Sequence, residues 1–206
     1  YSSQNKKTSE HFSRVSFILE ERLNSALKLF SGQPRVWVDP IISKKNDITI
    51  TPNDDNENGV KISEIIEEPR SMIISAPPLF GLTCLSHFLV LEAWKRGQYW
   101  LYVNSRKLKS HNIEQYICND YTDLEVDSNS LPIRCIIIDE WNPLENGSMK
   151  KLKALCERFP TLPIIVMRAI DGVKFLKEKQ VILIDEITIY IINIIDDSFH
   201  ASRTER

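Results

Sequence analysis

From Pro69 onward, short, densely apolar runs alternate with stretches of helical periodicity, and this alternation constrains the fold more than any other feature of the sequence. The runs are Ser71–Ala76 (SMIISA), Tyr99–Asn104 (YWLYVN), Arg134–Asp139 (RCIIID) and Pro163–Met167 (PIIVM). Between them Thr83–Arg96, Ile113–Cys118 and Ser148–Arg158 read as helices, the last with Met149, Leu152, Leu155 and Cys156 on one face. Strands this apolar have no polar face to offer water, so they predict a parallel sheet covered by helices on both sides. The fold class expected is α/β, a three-layer sandwich of four or five parallel strands. Val181–Ile184 is the candidate fifth strand. Ile187, Tyr190, Ile191, Ile194 and Ile195 fit a helical stripe, with a strand as the alternative because the run is rich in β-branched isoleucine.

The first third of the chain has a different texture. Tyr1–Ser9 is polar and is expected to fray, after which Val15, Leu19, Leu23, Ala26 and Phe30 recur at helical spacing. Ser31, Gly32 and Pro34 end that helix. Arg35–Pro40 is strand-like. Ser43–Gly59 reads as a mobile, acidic-ended loop with a short strand at Ile48–Thr51, and Lys61–Glu67 as one or two helical turns stopped by Pro69. The division this suggests is an N-terminal helix and irregular arm over residues 1–69, then an α/β domain over 70–206.

Composition narrows the function classes. A chain of 206 residues with 42% hydrophobic residues buries a core without help from disulfides or metals. Twenty-six Lys and Arg against 28 Asp and Glu give a net charge of -2, which excludes a nucleic-acid binder working by bulk positive charge. The four cysteines show no CxxC spacing and the four histidines no zinc-site spacing, so a reducing, cytoplasmic setting is expected. No signal peptide opens the chain, and no apolar stretch reaches about 18 residues, so no membrane association is expected. Tyr1 in place of Met suggests a piece of a longer protein. Trp37, Trp94, Trp100 and Trp141 have no nucleic-acid-module spacing and are assigned to packing, while Lys150, Lys151, Lys153, Lys174, Lys177 and Lys179 read as solvated helix faces. Thr83, Ser86 and His87 make no nucleophile set, since nothing at a known spacing orients the base.

Three elements in a fixed order carry the chemistry. The loop Ala76-Pro77-Pro78-Leu79-Phe80-Gly81-Leu82-Thr83 joins a buried strand to a helix, where backbone N–H groups and a helix N-terminus face an anion. Ile136-Ile137-Ile138-Asp139-Glu140 delivers two carboxylates to the C-terminal edge of the sheet: Asp139 to hold a magnesium ion, Glu140 to activate a water. Ile164–Arg168 places a cation at the end of another strand, suited to contact a γ-phosphate. The plainer alternatives are a strand-to-helix turn capped by Thr83, a solvated strand end at Asp139-Glu140, and a surface arginine at Arg168.

This order of loop, acidic strand and Arg-tipped strand resembles the P-loop ATPases, most closely the signal-transduction branch, the STAND or NACHT-type ATPases of immune and antiphage proteins. Tyr99–Lys107 (YWLYVNSRK) is similar to that group's second strand, and the resemblance spans Ser71 to Gly172, about half of the chain. It implies ATP and magnesium as cofactors, with Pro78, Phe80, Gly81, Leu82 and Thr83 at the nucleotide, Thr83 and Asp139 at the metal, and Asp139, Glu140 and Arg168 in catalysis. It also implies a place between an effector domain and a sensor array, so the partners expected are other proteins, further domains of a longer chain, or copies of itself.

Against G-P-P-G-T-G-K-T the loop departs at four of eight positions: Ala76, Leu79, Phe80 and Leu82. Leu82 stands where Lys would meet the β- and γ-phosphates. Ala76 and Leu79 carry a Cβ where glycine lets the backbone take φ > 0. The reading is a STAND-like regulatory module with weak or absent ATP hydrolysis. The alternative is a scaffold that binds no nucleotide, its pocket filled by Leu79, Phe80 and Leu82. A third is an active ATPase that borrows its cation from another residue or subunit.

Overall fold

The computed structural model describes residues 2–28, 41–44, 59–76, 78–79, 81–124, 132–169 and 190–195. In chain order the elements are α1 (Ser2–Leu27), β1 (Ile41–Lys44), β2 (Gly59–Val60), α2 (Ile62–Glu67), β3 (Met72–Ala76), α3 (Leu82–Lys95), β4 (Tyr99–Asn104), α4 (Ile113–Asp123), β5 (Ile133–Asp139), α5 (Ser148–Arg158), β6 (Ile164–Ala169) and β7 (Tyr190–Ile195). The strands form one sheet in the order β2-β1-β7-β3-β6-β5-β4. β7, β3, β6, β5 and β4 run parallel, and β1 lies antiparallel to both β7 and β2.

The period of two along each strand sorts the core into two layers. Met72, Ile74, Trp100, Cys135, Ile137, Ile165 and Met167 pack with α1, α2 and α3, whereas Ile73, Leu101, Val103, Ile136, Ile138 and Val166 pack with α5. α4 contributes to both clusters, through Tyr121 to the first and Ile113 to the second. The α/β three-layer class is therefore present. Helix α3 is buried around most of its circumference (Cys84, Leu85, Leu89, Val90, Leu91, Ala93 and Trp94), because the sheet covers one side and α1 the other. It ends at Gly97, whose left-handed φ of 74° lets its N–H reach Trp94 O and that of Gln98 reach Ala93 O.

Several expectations for the flanks change. The first helix starts at Ser2, so over the described residues 2–9 helix stands where the expectation for Tyr1–Ser9 was fraying. Val15, Leu19, Ile42, Ile65 and Ile66 share one core with β3 and α3, so the described parts of the expected arm belong to the body of the fold. The two ends of the segment expected as a loop, Ser43–Lys44 and Gly59, belong to strands β1 and β2, too short to announce themselves by alternation; residues 45–58 lie outside the described residues. Ile113–Cys118 extends to Asp123. Over residues 190–195 the strand alternative holds and the helical stripe does not, since β7 is hydrogen-bonded between β3 and β1. The expectations at Phe30–Pro40, Ile48–Thr51 and Val181–Ile184, with Trp37, lie outside the described residues. Trp94, Trp100 and Trp141 are all buried, as packing residues should be. No helix among the described residues is long and apolar enough to cross a membrane.

Candidate functional site

The chain steps outward from β3, past two strand positions, to β4, then returns through β5 and β6, and β6 settles between β5 and β3. The crossover leaving β3 runs to α3 on one face and the one leaving β5 runs to α5 on the other, the arrangement in which open α/β sheets bind ligands beyond the C-terminal ends of their strands. The loop after β3 and the Asp139-Glu140 pair both stand at that edge.

Helix α3 begins with Gly81 as its N-cap, in the left-handed region at φ 77°, ψ 21° and with no side-chain cap. Thr83 is therefore not the cap; its hydroxyl donates instead to the Asp139 carboxylate. Asp139 is 1% exposed and also accepts Tyr102 Oη at 2.9 Å and the Glu140 N–H at 2.8 Å. Burial pushes its carboxyl up against the lowering effect of Thr83, the Glu140 N–H and Tyr102, with the neighbouring Glu140 charge acting in the same direction as burial. The same burial and the Asp139 charge push the Cys84 thiol up. The solvated-strand-end reading of Asp139 is excluded by its burial.

Glu140 turns the other way. Its backbone is left-handed at φ 54°, and its carboxylate takes Asn104 Nδ2 at 2.7 Å and Arg106 Nη1 at 3.6 Å. Ser105 Oγ donates to the Glu140 carbonyl at 3.2 Å. Leu79 is likewise left-handed at φ 72°. Among the described residues these are the two non-glycine positions with positive φ, and both follow the C-terminal ends of sheet strands, β3 and β5. Such backbone costs about 1–3 kcal/mol each and concentrates at functional sites. The Cβ of Leu79 thus does not prevent a left-handed backbone there; it is adopted under strain.

Leu79 does not fill the pocket as the scaffold reading expects, for its side chain is 88% exposed. Pro78 is exposed too, while Leu82 is half-buried and packs against the core around α3. Phe80 lies outside the described residues. Arg168, at the end of β6, stands in register with Ser75 and alternates with Met167, which places it on the α5 side of the sheet, across from Thr83 and Asp139. The structure thus brings together Thr83, Asp139 and, by backbone, Gly81 and Glu140, and does not bring Arg168 to their face.

Four residues of this neighbourhood were not assigned roles by sequence. Tyr102 and Asn104 are the polar alternate positions of a strand whose other residues are buried, a pattern that could have singled them out. Arg106 follows in the turn. His87, one helical turn beyond Thr83, stacks on Tyr102 at 4.3 Å between centroids, and burial, with Arg22 adding to it, lowers its pKa to about 4. Ser86 spends its hydroxyl on Leu82 O at 2.9 Å, which leaves no nucleophile set there. All four cysteines are free, and the described residues hold no cluster of three or more His, Cys, Asp or Glu arranged for a metal. Comparison with protein-family models and with curated proteins returns no match.

Proposed function

We propose that this chain is a regulatory module of STAND or NACHT-type descent from the P-loop ATPases, with weak or absent ATP hydrolysis. The observation that carries the reading is the hydrogen bond from Thr83, in the first turn of α3, to the buried Asp139 at the end of β5, beside a loop with two left-handed residues. A hydroxyl and a carboxylate side by side are hard oxygen donors, and they fit a magnesium ion. When bound, that ion would supply the positive charge on the phosphate oxygens that Leu82 cannot. The phosphates themselves would meet the backbone N–H groups at the N-terminus of α3.

Weak hydrolysis follows from Glu140. A carboxylate that orients an attacking water must face the γ-phosphate. Here it is held by Asn104 and Arg106 on the β4 side, and Arg168 lies across the sheet. The setting that goes with this reading is reducing and cytoplasmic, with protein partners, further domains or copies of the chain as the output. Isothermal titration with Mg-ATP and a phosphate-release assay test it together. Binding with little release is the expected result, and robust turnover abolished by Glu140→Gln would sink it.

The exposed Leu79 favours a second reading, a scaffold that contacts a partner through this loop and binds no nucleotide. Thermal shift separates the two: ATP with magnesium raises the melting temperature under the first reading and leaves it unchanged under the second.

A further inference from the structure

We infer that helix α1 is a clasp that sets the state of the Asp139-Glu140 pair, acting through α4 and strand β4. The inference rests on reading that pair as the nucleotide site.

Arg22 of α1 places Nη1 2.9 Å from Asp120 Oδ1 on α4, with Asp123 Oδ2 4.0 Å from Nη2. The other Asp120 oxygen accepts Tyr99 Oη, from the first residue of β4, at 2.7 Å. Asp120 is 9% exposed, so both partners matter: a carboxylate withdrawn from water is held by its neighbours or pulls water in. One turn earlier on α4, Tyr116 Oη accepts the backbone N–H of Asn104, the last residue of β4, at 3.1 Å. Helix α4 therefore grips β4 at both ends.

Between and beyond those grips β4 holds both site carboxylates. Tyr102 donates to Asp139, and the Asn104 side chain donates to Glu140 at 2.7 Å while its oxygen accepts the Arg106 N–H at 3.0 Å. The route from Arg22 to Glu140 is thus a run of hydrogen bonds across two rigid elements: Arg22 to Asp120, along α4 to Tyr116, then Asn104 to Glu140. α1 also lies on α3, which carries Thr83. Trp94 Nε1 donates to Phe12 O at 3.3 Å and Ser16 Oγ at 3.1 Å, and the Phe12 ring stacks on Trp94 at 5.3 Å.

Release of Arg22 strands the Asp120 carboxylate. The cheapest relief is an outward shift of α4 that admits water, and Tyr116 moves with the helix. The Asn104 N–H then loses its Tyr116 acceptor, and the turn that ties Glu140 through Asn104 and Arg106 loosens. α1 seated keeps Glu140 tied down; α1 lifted frees it.

The test uses the full chain without nucleotide, by native-state hydrogen exchange read by mass spectrometry. Arg22→Ala is expected to speed exchange of the Asn104–Arg106 and Glu140 amides by roughly tenfold, with Ile164–Met167 unchanged. Arg22→Lys restores protection in part. Arg22→Ala with Asp120→Asn removes the stranded charge and with it the drive on α4, so protection of the Asn104–Arg106 and Glu140 amides is expected to return toward the parent; double-variant exchange as fast as that of Arg22→Ala alone would overturn the inference. A rise confined to α1, or one spread evenly over the whole sheet, would overturn the inference. Exchange that responds as expected in a chain that binds no Mg-ATP would leave the clasp standing and remove the proposed function.

Discussion

Replacing Tyr102 by Phe removes one hydroxyl and leaves the ring that stacks on His87 in place. The hydroxyl lies 2.9 Å from Asp139 Oδ2, and Asp139 is almost wholly out of water. A hydrogen bond to a charged acceptor contributes about 1.5–3 kcal/mol, against about 1 kcal/mol for a neutral one. A loss of roughly 2 kcal/mol at neutral pH lowers the melting temperature of a chain this size by about 4–8 °C. The sign of the pH dependence follows from the donor. Tyr102 favours the ionised form of Asp139 against burial, which raises its pKa, so its removal raises that pKa further. As pH falls, Asp139 takes up its proton, the bond becomes a neutral one, and the gap between variant and parent narrows. Thermal unfolding followed by circular dichroism at neutral pH and near pH 4 measures this. A double-mutant cycle with Asp139→Asn isolates the pair from the titration of His87. A Tyr102→Phe cost that is unchanged in the Asp139→Asn background would refute the reasoning, because the bond would then not be to a carboxylate that matters.

Other outcomes follow from the same geometry. His87, with its pKa lowered to about 4, binds fewer protons folded than unfolded between about pH 6.5 and 4, so it costs stability as pH falls through that window, of order 3 kcal/mol in all. His87→Leu should flatten the acid limb of the stability curve, measured by urea titration at several pH values. Leu79→Gly loses no burial and relieves a left-handed leucine, so after the added chain entropy it should be neutral to about 1 kcal/mol stabilising, whereas Leu79→Val should be destabilising by chemical denaturation. Leu82→Lys restores a cation at the loop and should tighten Mg-ATP by about tenfold or more in isothermal titration, with phosphate release still slow while Asn104 holds Glu140.

Much of the fold was legible because apolar strands and helical stripes are local signals. β3, β4, β5, β6 and α5 stand within a residue or two of where their patterns put them. β1 and β2 were illegible, since a strand of two to four residues carries too few side chains to show a period. β7 reads first as a helical stripe, with a strand as the alternative from its β-branched isoleucines, and its hydrogen-bonding neighbours β1 and β3 decide for the strand. At the site, the residue types of Thr83 and Asp139 were enough to nominate them. Their meeting was implied only by the resemblance to the P-loop ATPases and by no local pattern, because 56 residues and two crossovers separate them in the chain.

The sequence by itself determined the layer architecture, the absence of a loop lysine and the placing of two carboxylates at a strand end, because each of these is fixed by side-chain type and short-range spacing. Only the tertiary structure decided what the carboxylates do. Strand order set β4 beside β5, so Asp139 is donated to by Tyr102 while Glu140 is drawn to Asn104 and Arg106. Strand parity put Arg168 on the far face. Both are long-range consequences of packing, which burial enforces and no local pattern encodes.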